Sequence, residues 1–379
     1  MFLPIGTGAT AQDPKAVCRD IGSLVSMRTV GPRVRAIAMA LLLAACAHRG
    51  TDLGQLNVLR DNLPACEVTV CLHARYLGAT TVAITDGRST VLIDGYLSRP
   101  PVQKALLFRI EPQHELVAAA LQALNLPPVC GVYVAHGHYD HALDAAHVSH
   151  LTKAPAYGSA AVGRIFEAQV IRAERRGVPL SNARFAPLRS DDPSQTPPAC
   201  GSFGVEAVAA PHAHKVRYAG EVSGDFALPA KGSAFRLGKD GLSHSFIVRH
   251  ASGATIIVHP SANTAPSFVR AGPHSGDPMA LYEDVKADVV FLGVAELGNG
   301  RAQDLNDYCE AVVGQTGATR VVAIHWDDFG NPLWKALEAY PRIPFVTDNV
   351  DKTIETLERD GCAGAPVERW DDRGWRRIG

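Results

Sequence analysis

Hydrophobic and polar positions follow two different rhythms along the chain. From residue 66 onward, short apolar runs rich in β-branched residues alternate with stretches in which apolar residues recur every three or four positions. The first rhythm predicts strands and the second predicts helices that bury one face. Residues 76–84 and 89–93 read as two strands around the turn Asp86-Gly87, the second closing at Asp94-Gly95. Further strands are predicted at 131–135, 205–209, 245–248, 255–258, 289–292 and 321–324. Helical spacing covers 113–124, which stops before Pro127-Pro128, and also 302–313 and 350–359. Strands that are apolar along most of their length are buried on both faces, so the pattern predicts sheets covered by helices in one layered α/β domain. The proline-rich, charged stretch 174–203 is predicted as an inserted surface loop.

One apolar run has a different meaning. Residues 36–45 follow Met27, Arg28, Arg33 and Arg35 and end at Cys46. At about ten residues the run is half of what a bilayer span needs. A basic start, a short apolar segment and small residues at the end are the parts of a secretory signal peptide. The ending Leu43-Ala44-Ala45-Cys46 resembles a bacterial lipobox, in which the cysteine is lipidated and becomes the mature N-terminus. The expected organisation is a misassigned upstream start at 1–26, a lipoprotein signal peptide at 27–45, lipidation at Cys46, a tether over 46–65 and a single domain over 66–379. The product is an exported bacterial lipoprotein, anchored to a membrane and facing the periplasm. Ala47 rather than an acid follows the cysteine, which favours outer-membrane sorting in a Gram-negative host.

Composition narrows the choices. Of 379 residues, 46% are hydrophobic and 20% charged, which supplies a core and excludes a disordered polymer. With 37 basic against 38 acidic side chains, no surplus of positive charge suggests a nucleic-acid partner. Loss of residues 1–45 removes more basic than acidic side chains and leaves a mildly acidic body. Beyond Cys18 and Cys46 there remain Cys66, Cys71, Cys130, Cys200, Cys309 and Cys362. An even count in an exported chain allows disulfides, with Cys66 and Cys71 the most local pair; buried free thiols are the other reading. No spacing suggests a structural zinc site.

The chemical centre is His136-Gly137-His138-Tyr139-Asp140-His141, directly after a strand and followed by Asp144. Residues 136 and 138 point the same way on an extended chain, so two imidazoles can share one ion. A tight turn can then direct Asp140 and His141 toward a second. Chance produces such a run in a chain of this length about once in a thousand.

His-Gly-His-Tyr-Asp-His resembles the signature of the metallo-β-lactamase superfamily, and the likeness extends over residues 75 to about 347. It implies an αββα sandwich with a two-metal site at one edge of the sheets. Asp94 matches the family's early aspartate, which supports the ligand loop. The third histidine of the pattern is His212, with His214 as its rival, and His325 is the last ligand. Where a metal-bridging aspartate is common, this chain reads His259-Pro260-Ser261, with Ser261 in the acid's place and His259 a substitute ligand. That departure opens single-ion occupancy, although the B3 β-lactamases also carry serine there. Family members that reduce oxygen at two irons typically have an acid where this chain has His138, so zinc and hydrolysis are implied.

The implied site has His136, His138 and His212 on one zinc, and Asp140, His141 and His325 on the other. Asp140 orients the nucleophilic water and carries a proton to the leaving group. Asp144 is expected to orient a ligand or cap a helix, Tyr139 to pack, and Asp327 and Asp328 to support His325 or lie in a solvated loop. The implied activity is hydrolysis of an ester, phosphodiester, lactone or amide in a small-molecule or lipid-derived substrate. A B3-like β-lactamase and a non-catalytic zinc-binding lipoprotein are the alternatives.

Overall fold

In the computed structural model, which describes residues 53–66, 71–101, 104, 110–188, 197–210, 243–261, 282, 284–295, 297, 302–339 and 350–379, the strands pair into two sheets. The first sheet runs β1 (His73–Gly78), β2 (Thr81–Thr85), β3 (Thr90–Ile93), β4 (Val129–Tyr133), β5 (Ala156–Gly158) and β6 (Phe185–Pro187), with β13 (Arg376–Arg377) outside β1. The second runs β12 (Val367–Arg369), β11 (Arg320–Ile324), β10 (Val289–Gly293), β9 (Thr255–His259), β8 (His244–His250) and β7 (Phe203–Ala209). Strands β3 to β6 are mutually parallel, as are β9 to β12; the remaining pairs are antiparallel.

Alternation along each strand sorts side chains into layers. Val82, Ile84, Val91, Ile93 and Tyr133 enter the core between the sheets, where they meet Val205, Phe246, Val248 and Val258. The intervening Ala83, Leu92, Val132 and Val134 face the helices instead. There they meet α1 (His114–Leu124), α3 (Ala145–Thr152) and α4 (Ala160–Arg175) through Val117, Ala120, Val148, Val162 and Phe166. The short α2 (Tyr139–Ala142) precedes α3, and α5 (Ala302–Val312) and α6 (Val350–Asp360) complete the helices used below. Leu305, Tyr308, Val312, Ile354 and Leu357 pack these last two on the second sheet. This is the α/β sandwich that the pattern predicted, one domain in which helices cover two mixed sheets.

Four expectations need correction. The run 76–84 is two strands, because Gly78 and Ala79, at φ +103° and +52°, turn the chain back between β1 and β2. A Cβ at Gly78 would collide with the Arg99 guanidinium and Asp327, so this close approach requires glycine. The tether over 46–65 is packed from Leu53: a 3-10 helix at Leu53–Leu59 buries Leu56 and Leu59 against the α1 layer. The stretch 174–203 holds the end of α4 and the edge strand β6, so its described part belongs to the sheet rather than to an insertion. The strand predicted at 131–135 is Val129–Tyr133.

Among the described residues the six cysteines form three disulfides, Cys66–Cys71, Cys130–Cys200 and Cys309–Cys362. Among the described residues no helix is long and apolar enough to cross a membrane. Residues 1–52, including the signal-like segment and Cys46, lie outside the described residues, as do His212 and His214.

Candidate metal centre

β3, β4 and β11 end at one edge of the sandwich, and the residues that follow them carry the chemistry. After β3 the chain enters Asp94 at φ +58°, which turns its fully buried carboxylate toward the loop after β4. Asp94 Oδ1 accepts the Ala135 N–H at 2.8 Å. Asp94 Oδ2 receives the Thr80 hydroxyl and lies 2.9 Å from His141 Nδ1. A carboxylate can only accept, so Nδ1 carries the proton and the Nε2 lone pair of His141 is turned the other way.

That lone pair meets Asp140 and His325. His141 Nε2 is 3.5 Å from Asp140 Oδ2, and His325 Nε2 is 3.0 Å from the same oxygen. The three residues form the one group among the described residues whose ligand atoms all lie within 4.8 Å of one another. Two donors bound to one zinc at about 2.0–2.1 Å in a tetrahedral arrangement stand roughly 3.3 Å apart. The 3.0 and 3.5 Å separations about Asp140 Oδ2 lie close to that value, and the nitrogen-oxygen donor set suits a single ion.

His136 and His138 lie alongside. Nε2 of the first is 2.9 Å from Nδ1 of the second, and the His136 ring is centred 4.0 Å from that of His141. The imidazole rings of His138, His136, His141 and His325 thus form a continuous row, the last step being 5.3 Å. Burial opposes ionisation of Asp140, but His141, His325 and His138 outweigh it and hold the carboxyl well below its ordinary range. Asp140 is therefore an anion at neutral pH.

The backbone of His325, at φ +59°, is fixed by the β1–β2 turn: its N–H donates to Ala79 O at 2.6 Å and lies 3.0 Å from Tyr76 Oη. Asp327 holds that turn rather than the His325 ring. It accepts from Tyr76 Oη at 2.5 Å and from Ala79 N at 2.7 Å, and it pairs with the buried Arg99 guanidinium. Burial works against the Asp327 anion, but Arg99 prevails and keeps the carboxyl below its usual value. Asp328 turns away to accept from Gly330 N. Tyr139 packs edge-on against Tyr96 and Phe329.

Three sequence candidates are placed elsewhere. Asp144 touches no ligand and caps no helix with its side chain; it accepts from Leu97 N, Ser98 N and Ser98 Oγ at 2.6–2.7 Å. His259 faces the helix-covered side of the second sheet, its Nδ1 lying 2.8 Å from both Ser245 Oγ and Tyr282 Oη, with Tyr308 of α5 beside the ring. That orientation does not make it a substitute ligand, since the strand pleat directs it away from the space between the sheets. Ser261 is buried just past β9. Thr80, Tyr76 and Arg99 were not singled out from the sequence; each acts through a partner distant in the chain, and no local pattern marks it.

The model of the Beta-lactamase superfamily domain matches residues 89–326 of this chain. The chain belongs to the beta-lactamase superfamily. Among solved structures it is similar to Igni18, a metallo hydrolase from the archaeon Ignicoccus hospitalis, at 13% identity and a TM-score of 0.45, over 81% of this chain and 98% of that one. It is also similar to YhfI from Bacillus subtilis, a metallo-beta-lactamase fold protein, at 12% identity and a TM-score of 0.43, over 82% and 100% of the two chains. An isothiocyanate hydrolase from Delia radicum gut bacteria gives 13% identity and a TM-score of 0.43, over 80% and 98%. Comparison with curated proteins gives no match. Superfamily membership and the Asp140–His141–His325 group together support a metal-dependent hydrolase with one evident ion site.

Proposed function

We propose that this beta-lactamase superfamily member is a zinc-dependent hydrolase, exported and lipid-anchored, that cleaves an ester, phosphodiester, lactone or amide. The observation that carries the reading is the Asp140–His141–His325 group, with spacing and donors suited to zinc. Bound zinc supplies Lewis acidity to the attacked oxygen and brings the pKa of water close to 7. Asp94 and Thr80 keep His141 in the tautomer that offers Nε2. Asp140, ionised among the imidazoles, orients the attacking water and takes its proton for delivery to the leaving group. His136 and His138 begin a second site, for which His212 is the sequence candidate ahead of His214. The Phe329 ring, centred 6.1 Å from that of His325 and packed on Tyr139, supplies apolar surface beside the group, which suits a small-molecule or lipid-derived substrate.

Three disulfides support an oxidising compartment, and the segment 27–45 with Cys46 supplies an export signal and an anchor. In this reading sorting in a Gram-negative host is to the outer membrane. Conversion of Cys46 to serine should then leave an unlipidated precursor or release soluble protein, and wild-type protein found wholly in the cytoplasm would remove the export reading.

A B3-like β-lactamase is the second reading, favoured by Ser261 where a bridging acid is common. Elemental analysis of the purified protein, combined with hydrolysis of an ester, phosphodiester, lactone and β-lactam panel, separates the cases. Zinc with turnover of any member supports the hydrolase, and preference for the lactam supports the second reading. Zinc without turnover across the panel would leave a zinc-binding lipoprotein and defeat the enzyme.

A further inference from the structure

The superfamily match covers residues 89–326, yet a segment well beyond it reaches the turn that holds His325. After β12 the chain leaves the second sheet and ends on the first, where β13 pairs with β1 through His73–Arg377 and Ala74–Arg376. The crossing residues, 370–375, form a strap from one sheet to the other. Two tryptophans fix its ends. Trp370 meets Phe291 edge-on at 5.5 Å in the core between the sheets, and Trp375 packs in the helix-covered layer.

Between them Arg373 turns inward and is buried. Its Nε donates to Leu77 O at 3.0 Å, and Arg99 Nη1 donates to the same oxygen at 2.9 Å. A carbonyl has two lone pairs, so two guanidiniums saturate it. Leu77 leads into Gly78 and Ala79, the turn whose Ala79 carbonyl receives the His325 N–H. Arg373 Nη1 donates to Lys335 O, in the loop that leaves His325. One side chain therefore grips both the turn on which His325 rests and the loop that carries the chain onward. The strap is itself held there, because the Arg373 carbonyl accepts from the buried Arg75 guanidinium.

This arrangement is costly. Burial, and then Arg99, draw the Arg373 guanidinium down to about 10 against the pull of Asp327, so it remains a cation at neutral pH. Arg99 and Arg373 share Asp327, which leaves part of their charge buried without a counter-charge among the described residues. Apolar side chains would close the sandwich without that cost. They could not hold two carbonyls at a fixed spacing, which the planar fork of an arginine does.

We propose that Arg373 is a positioning residue of the metal centre: by clamping Leu77 O and Lys335 O, the C-terminal strap sets where His325 stands relative to Asp140 and His141. The inference rests on the metal-dependent reading above. It extends the working parts of the site to Leu77 and Arg373, which lie on either side of the matched residues 89–326.

The full chain, stripped of metal, is titrated with Co²⁺ and followed by visible absorption, and Zn²⁺ affinity is measured by competition with a chromophoric chelator. Arg373→Met keeps an apolar stem and removes the fork. It should bind Zn²⁺ about tenfold more weakly, with a Co²⁺ spectrum unlike that of the wild type, because His325 is no longer held at the ion. Arg373→Lys keeps the charge and reaches one of the two carbonyls, so it should recover part of the affinity. The Cys130→Ala, Cys200→Ala double variant, weakened at the opposite end of the sandwich, is the control and should keep both affinity and spectrum. By reciprocity, Zn²⁺ should slow amide hydrogen exchange of residues 370–379 in the wild type by about threefold and leave 197–205 unchanged, a measurement that needs no variant to fold. Wild-type affinity and spectrum in a destabilised Arg373→Met, or strap exchange indifferent to Zn²⁺, marks a purely structural role and overturns the proposal. An equal loss of affinity in the control ties binding to overall stability and overturns it as well. Wild-type protein that binds no metal defeats the hydrolase reading along with this one; metal and turnover that survive Arg373→Met unchanged defeat this one only.

Discussion

His141 Nδ1 lies 2.9 Å from Asp94 Oδ2, and the other oxygen of the same carboxylate accepts the Ala135 N–H at 2.8 Å, one residue before the histidine run. One buried side chain thus sets both the tautomer of a ligand and the path of the loop that carries the others. Replacement of Asp94 by alanine should lower zinc affinity by about 10–100-fold, the usual cost of removing such an outer partner. Competition against a chromophoric chelator measures this directly. Unchanged affinity would show that the ring is oriented by Thr80 alone.

Asp327 acts on the centre from further away. It neutralises Arg99 and holds the turn to which the His325 N–H is bonded, so its loss should be felt first as instability. Asp327→Ala leaves a guanidinium buried without its counter-charge and should cost about 3–5 kcal/mol in denaturant unfolding. Asp327→Asn keeps an acceptor for Ala79 and Tyr76 and should cost less. A loss below about 1 kcal/mol for the alanine variant would mean that water reaches Arg99.

These contacts show where sequence reasoning succeeds. The strands at 255–258, 289–292 and 321–324 were legible because apolar, β-branched runs with turn residues at both ends bury wherever they are placed. The candidate run from His136 to His141 stands out because four possible donors lie within six residues, and two of them, Asp140 and His141, meet His325 in the structure. The β1–β2 turn is hidden inside a run of strand-forming residues broken only by Gly78, and its reason, Gly78 pressed against Arg99 and Asp327, lies in residues far along the chain. Asp144 illustrates the same limit: it is one turn beyond Asp140, yet its partners are Leu97 and Ser98. Spacing identifies neighbours along an element, whereas tertiary contacts decide where a loop carboxylate points.

Asp144 also makes a pH-dependent contribution. Burial raises its carboxyl to about 6 from 3.8, even though the Ser98 hydroxyl and the Leu97 and Ser98 amides favour the anion. An acid with a higher pKa folded than unfolded binds more protons in the folded state between those two values. Stability from this group is therefore greatest below the unfolded value, falls as the pH rises, and is fully lost above the folded value. The change is about 3 kcal/mol for two pH units. Asp144→Asn removes the titration, so from pH 4 to pH 7 its unfolding free energy should gain on the wild type by up to about 3 kcal/mol. Urea melts at each pH test this, and parallel curves would show that Asp144 does not titrate in the window.

Cys130 and Cys200 join the start of β4 in the first sheet to the turn that leads into β7 in the second, across 70 residues of sequence. A loop of that length loses much of its unfolded freedom when closed, about 4 kcal/mol in the chain-entropy model. The bridge sits at the beginning of β4, whereas the ligands follow its end, so the staple and the metal edge are at opposite ends of the sandwich. Stability and metal binding should therefore separate. A Cys130→Ala, Cys200→Ala double variant should unfold about 2–4 kcal/mol more easily than the oxidised wild type while holding the same zinc when folded. Denaturant melts and elemental analysis on one preparation check both halves. Loss of zinc in the folded double variant would show that closure of the two sheets is transmitted to His136, and equal stability would show that the sheet-to-sheet core alone sets the fold's resistance to unfolding.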